Sequence, residues 1–228
     1  MNIHSEKFWN FINELHDNEI NYVIIRGFTR FPESGDTDID MVVTVKDWDK
    51  FNDVANNHLT PCDTSDEHFK NFGFGEYVEM MLQPYYTEGE KLPEIANGCF
   101  RVDVQNAFYF KTPYTDFSTF WPVYHKFQEY IFDNKILVGD GEFKYFIPNV
   151  GCEITLLLLR DLLDKKHNNP KIDWHPRHKE RIKVLVNQKE FDEEDCIKCI
   201  SMGLPPSQSK EILDKIKQDK FEEIVLTY

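Results

Sequence analysis

The sequence predicts an α+β fold: a mixed sheet flanked by helices over residues 1–112, then a mainly helical half over residues 113–228. Three observations carry that expectation. Short β-rich apolar runs alternate with helically spaced ones in the first half. From Pro148 onward the apolar residues recur at helical spacing instead. No internal repeat or low-complexity linker intervenes, and 228 residues are enough for one large core or two small ones.

Taken in order, Ser5 can cap a first helix whose Phe8, Trp9, Phe11, Ile12 and Leu15 fall on one stripe. "NYVIIRG", Asn21 to Gly27, reads as a short buried strand ending in glycine. A loop with Pro32 and Gly35 leads into a second strand over residues 38–45. The stretch 46–58 then reads as a surface helix opened by the acidic "DWD" of Asp47–Asp49. "EYVEMMLQPYY" (76–86) and "CFRVDVQNAFYF" (99–110) are further strands, and 135–146 is a hairpin turning at Gly139-Asp140-Gly141. A buried helix over 152–166 follows, then helices near 176–188, 191–202 and 206–218, the last two parted by Pro205-Pro206.

Composition narrows the chemistry. A net charge of −14 argues against an extended duplex nucleic-acid footprint, because neutralising phosphates takes clustered Lys and Arg. Five cysteines without a framework of spacings predict reduced thiols. Together with the absence of a leader-like N-terminus and of a long apolar run, this gives a cytoplasmic expectation with no membrane span. Cys196-x-x-Cys199 has no second pair beside it and reads as part of a helix rather than as a zinc site.

"SGDTDIDMVV", Ser34 to Val43, is the unusual stretch, because a buried strand rarely opens on alternating aspartates. At strand spacing Asp38 and Asp40 share a face while Ile39 turns to the core. Two carboxylates so close repel unless a cation sits between them. Magnesium fits, being a hard ion that takes one or two carboxylates together with substrate phosphates. Asp103 in "RVDVQ" is a third acid, set between two valines, and an adjacent strand would bring it up to the pair. Asp36 belongs more naturally to the turn after Gly35. The bland alternative is a solvated acidic turn and a salt-bridged Asp103.

"YVIIRGF", "GDTDIDMVV" and "FRVDVQ" together resemble the nucleotidyltransferase fold of the DNA polymerase β superfamily, particularly its small bacterial members that modify antibiotics, sugars and other small molecules. The resemblance covers about residues 20 to 105. It implies that Gly27 is the motif glycine, Asp38 and Asp40 the metal-binding pair, and Asp103 the third acid, holding a second metal or helping to deprotonate the acceptor. It further implies one or two Mg²⁺ ions, a nucleotide donor, a small-molecule or glycan acceptor, and in-line attack at phosphorus. Where the family carries Gly-Ser or Gly-Gly, this chain carries Gly27-Phe28. That departure leaves Arg26 or Arg30 to meet the donor phosphates, and admits a nucleotide-activated alcohol as donor.

A basic island spans Lys165 to Lys183, with seven Lys and Arg against Asp173 and Glu180. It is read either as an anion clamp, with Arg177 and Arg181 as fork-shaped donors, or as solvated surface charge offset by acidic neighbours. His175 and His178 stand in it with Pro176 between them, an arrangement ill suited to zinc. Phe72, Phe74 and Tyr114 are candidates for stacking on a nucleobase. Two other functions stay open: a toxin-type nucleotidyltransferase acting on RNA, and a catalytically silent nucleotidyltransferase fold used for binding.

Overall fold

The computed structural model describes residues 3–28, 38–61, 82–86, 101–106, 109–111, 120–122, 125–165 and 174–226. The chain forms two compact units, one of residues 1–108 with 135–147, the other of 109–134 with 148–228. Relative to the expected division after residue 112, the 135–147 hairpin joins the first unit. Its Phe143 and Tyr145 pack on Trp9, with ring centroids 5.1 and 5.8 Å away.

In the first unit, α1 (Ile3–Asp17) starts ahead of Ser5, the expected cap. Its stripe is as spaced in the sequence: Phe8, Phe11, Ile12 and Leu15 are all buried. β1 (Tyr22–Arg26) and β2 (Asp38–Val43) pair antiparallel. A short 3₁₀ turn (Val45–Asp47) then feeds α2 (Trp48–His58). Asp47 is the N-cap of α2, but its side chain does not cap the helix; it accepts instead from Asn21 N at 3.2 Å and from the Thr44 hydroxyl. The carboxylate thereby ties the start of α2 to the residue just before β1.

β3 (Thr60–Pro61), β4 (Leu82–Tyr86) and β5 (Arg101–Gln105) complete a five-stranded sheet in the order β1-β2-β5-β4-β3. β2 and β5 run parallel; the other pairings are antiparallel. The expected strand over 76–86 appears as β4, its earlier residues lying outside those described. The expected strand over 99–110 is divided: β5 stays in this sheet, whereas β6 (Tyr109–Lys111) pairs with β7 (Phe120–Pro122) in the second unit.

Strand alternation separates the two faces of the sheet. Tyr22, Ile24, Ile39, Met41, Val43, Val102 and Val104 join the α1 and α2 residues in one core, where Phe11 meets Phe51 edge-on at 5.8 Å. Each fully buried aliphatic here contributes about 1.5–3 kcal/mol. That packing fixes the register, because a slip of one residue would turn Ile39 and Met41 outward and Asp40 into the core. β8 (Ile136–Val138) and β9 (Tyr145–Ile147) form the expected hairpin. Gly139 turns it at φ 85°, where a Cβ would lie 2.0 Å from the Phe143 carbonyl oxygen.

The second unit contains α3 (His125–Asp133), α4 (Val150–Leu159), α5 (Pro176–Asn187), α6 (Glu193–Gly203) and α7 (Ser209–Lys217). α4 is apolar on nearly every side and almost wholly buried, as a central helix must be. Asn149 caps it by accepting from Cys152 N at 2.8 Å, and the Thr155 hydroxyl donates back to Gly151 O at 2.8 Å. The expected helix over 152–166 continues past α4 as a π-helical turn, Arg160–Lys165. α6 is capped by Asp192, which accepts from Asp195 N at 2.9 Å. Pro205 and Pro206 lack the N–H groups that would let α6 run on into α7.

Candidate functional site

The acid-bearing face of the first unit's sheet is built by register. Arg26 on β1 stands opposite Asp40 on β2, and Asp40 stands opposite Asp103 on β5. Asp103 in turn faces Pro84 on β4. One row across four strands therefore reads Arg26–Asp40–Asp103–Pro84. Ile39 and Val102 point to the core, so Asp40 and Asp103 share the opposite face.

Both acids are nearly closed off, Asp40 at 8% and Asp103 at 9% exposure. Such burial is costly for carboxylates without compensation. Arg26 provides part of it, its Nε donating to Asp40 Oδ2. An irregularity in the pairing between Ile24 and Arg26 accompanies this contact, displacing the strand end just where the guanidinium has to meet the carboxylate.

Gly27 follows at once, buried and at φ 87°, a conformation strained for residues with a Cβ. Phe28 is 6% exposed and belongs to the core, its ring 6.5 Å from that of Tyr145. Phe28 is therefore a packing residue, and the turn at Gly27 leads the chain from the site row into the core.

Asp38 opens β2 in register with Arg101; its side chain, like Arg30, Asp36, Phe72, Phe74, Tyr114 and His167, lies outside the described residues. Arg177 and Arg181 lie on α5 in the second unit. Arg181 holds the buried Glu153 with two bonds, Nε to Oε1 at 2.7 Å and Nη2 to Oε2 at 2.9 Å. Lys179 pairs with Glu222 at 2.9 Å and Lys183 with Asp219 at 2.7 Å. His178 Nδ1 donates to Asp161 Oδ1 at 3.0 Å. Along α5 the basic island is thus largely matched by carboxylates of its own unit, while Arg177 is exposed.

Among the described residues, which leave out the side chain of Asp38, no three His, Cys, Asp or Glu side chains gather as a metal cluster. Nor is any helix among them long and apolar enough to cross a membrane. Two features escape a reading of the sequence: the pairing of Arg26 with Asp40, and the buried Asp161 beneath His178. Strand register and helix packing decide both. The available hint at Asp161 was an acid within the long apolar run 154–163.

No family model matches the sequence, and no curated protein does. Among solved structures, the chain is similar to the solution structure of the antibiotic-resistance factor ANT(2'')-Ia, at 9% identity and a TM-score of 0.47, over 94% of this chain and 97% of that one. Likeness at that level is too slight to support a fold or an activity.

Proposed function

We propose that the chain is a Mg²⁺-dependent transferase that moves a nucleotidyl or phospho-alcohol group onto a small acceptor such as a sugar, glycan or antibiotic-like molecule. The observation that carries this reading is the register row, which sets two buried carboxylates side by side on parallel strands with an arginine and a positive-φ glycine at its end.

The donor set fits a hard divalent ion, since it offers carboxylate oxygens close together and shielded from bulk water. Asp40 and Asp103, with Asp38, would hold it. When bound, the ion would polarise phosphoryl oxygens and offset their charge. The chain's own residues do the rest. Gly27, lacking a Cβ, lets the backbone come close to a donor phosphate. Arg26 has a planar fork able to meet phosphate oxygens as well as Asp40. Burial of the row keeps water from competing with an acceptor hydroxyl.

One observation favours a second reading, a catalytically silent fold: Arg26 already answers the charge of Asp40. A toxin-type enzyme acting on RNA gains little support, given the carboxylates that match Lys179, Arg181 and Lys183.

Calorimetry with ATP, CTP, GTP and UTP in Mg²⁺, beside Asp40→Asn and Asp103→Asn, separates these readings. Binding of one nucleotide that both substitutions weaken at least tenfold supports the transferase. Binding that survives both substitutions removes the metal site. Binding of no nucleotide, together with no Mg²⁺ uptake, leaves the silent fold.

A further inference from the structure

The motif Cys196-x-x-Cys199 lies on α6, and the helical unit gives Cys199 a different sulfur neighbour. Cys199 on α6 places its Sγ 3.7 Å from Sγ of Cys152 on α4. Both thiols are free and fully buried. A disulfide bond length of about 2.0 Å lies only ~1.7 Å closer. Cys199 also donates toward Asp195 Oδ2 at 3.8 Å, and Asp195 is held by the hydroxyl of Tyr130 and by Asn149 Nδ2 at 3.1 Å. Asn149 is also the cap of α4, so one polar cluster joins the start of α4, α6 and the thiol pair.

We propose that Cys152 and Cys199 are an oxidation site, converted by hydrogen peroxide into a disulfide that ties α4 to α6. Complete burial selects the oxidant class, because only a small uncharged molecule reaches these sulfurs without unfolding the helices. Cys199 is the sulfur that attacks the peroxide first, having the Asp195 carboxylate within reach to relay its proton to the departing hydroxide. The Cys199 sulfur bonds to one peroxide oxygen as the O–O bond breaks, giving a sulfenic acid and one water. The Cys152 sulfur then attacks that sulfur. The S–S bond forms as the S–O bond breaks, and the departing hydroxide takes the Cys152 proton as a second water. Two thiols are oxidised and one peroxide is reduced.

The reaction is slow by construction. Its hydrogen bond with Cys199, together with burial, pushes the Cys152 thiol far above its ordinary range. Burial pushes the competing Cys196 up to about 12. Thiolate, the reactive form, is therefore scarce at both. Proximity to Cys199, not thiol acidity, selects Cys152 over Cys196.

The test treats the folded full-length protein with hydrogen peroxide, blocks remaining thiols, and maps peptides without reduction. The expected result is a peptide containing Cys152 joined to one containing Cys199, with the protein two hydrogens lighter. Cys196→Ser keeps that product and Cys199→Ser loses it. Should Cys199→Ser fail to fold, Cys152→Ala removes the same bond. The proposal is overturned if Cys199 joins Cys196 instead, or if Cys152 and Cys199 both stay reduced while Cys62 or Cys99 oxidises.

Discussion

Replacing Arg26 by methionine isolates what the site row needs. Methionine keeps an unbranched apolar stem and removes the charge beside Asp40. Neighbouring strands lie about 4.8 Å apart, so Asp40 stands between Arg26 on one neighbouring strand and Asp103 on the other. What the substitution removes is the attraction between Arg26 and Asp40, and at an effective dielectric constant of about 20 opposite unit charges ~4 Å apart attract by ~4 kcal/mol. The Arg26 side chain is 34% exposed, and screening by water leaves about 1–2 kcal/mol of this as net loss. For a chain of this length that is a fall in Tm of roughly 2–8 °C. The same substitution removes the cation with which a metal has to compete. Thermal melts in EDTA and in millimolar MgCl₂ should therefore show Arg26→Met below wild type without metal and gaining more from it. An equal gap between the two proteins in both buffers would refute this reasoning, because the row would then hold no divalent ion. Nucleotide binding should move the other way and weaken, if Arg26 also meets the phosphates.

Three further outcomes can be checked. His178→Ala leaves Asp161, 1% exposed, without its imidazole donor, and should cost about 2–4 kcal/mol by urea denaturation; a loss under about 0.5 kcal/mol would contradict the buried bond. Gly27→Ala should cost about 1–2 kcal/mol at φ 87°, and Gly27→Asn distinctly less, since asparagine tolerates that conformation; equal losses would place the cost in crowding instead. Lys135 donates to Tyr22 O at 3.2 Å and sits 4.0 Å over the Phe146 ring, yet burial lowers its pKa from 10.5 to about 8. From about pH 8 upward the folded chain sheds a proton that the unfolded chain keeps. Stability should gain a positive slope between about pH 8 and 9.5 that Lys135→Met lacks, and identical slopes would show the ring contact outweighing burial.

How much of this was legible beforehand differs by kind of information. The strands around Ile24, Ile39 and Val102 could be read because short β-branched runs bounded by turn residues permit little else. The helices after Pro148 announced themselves by apolar spacing and by their breakers. Asp40 and Asp103 stood out as acids in strands otherwise fit for burial. Arg26 could be named but not placed, since its partner depends on the antiparallel register with β2. Arg181 looked equally suited to an anion or a carboxylate, and only the packing of α5 against α4 decides for Glu153. The split of 99–110 between two sheets was hidden as well. The run is continuously β-prone, and no local signal marks where one unit ends and the other begins.

The strand order also sets a timetable for assembly. β5 lies between β2 and β4, both of which precede it in the chain. Until it enters, β2 has an open hydrogen-bonding edge and the two acids are strangers, separated by a long stretch of backbone. Closing so large a loop is slow, and the parallel pairing repays it only at the end. A nascent chain halted before Arg101 would expose that edge to other chains, an invitation to aggregate. The centre is therefore finished by the same event that seals the sheet, and nothing shorter than the full set of strands can acquire it.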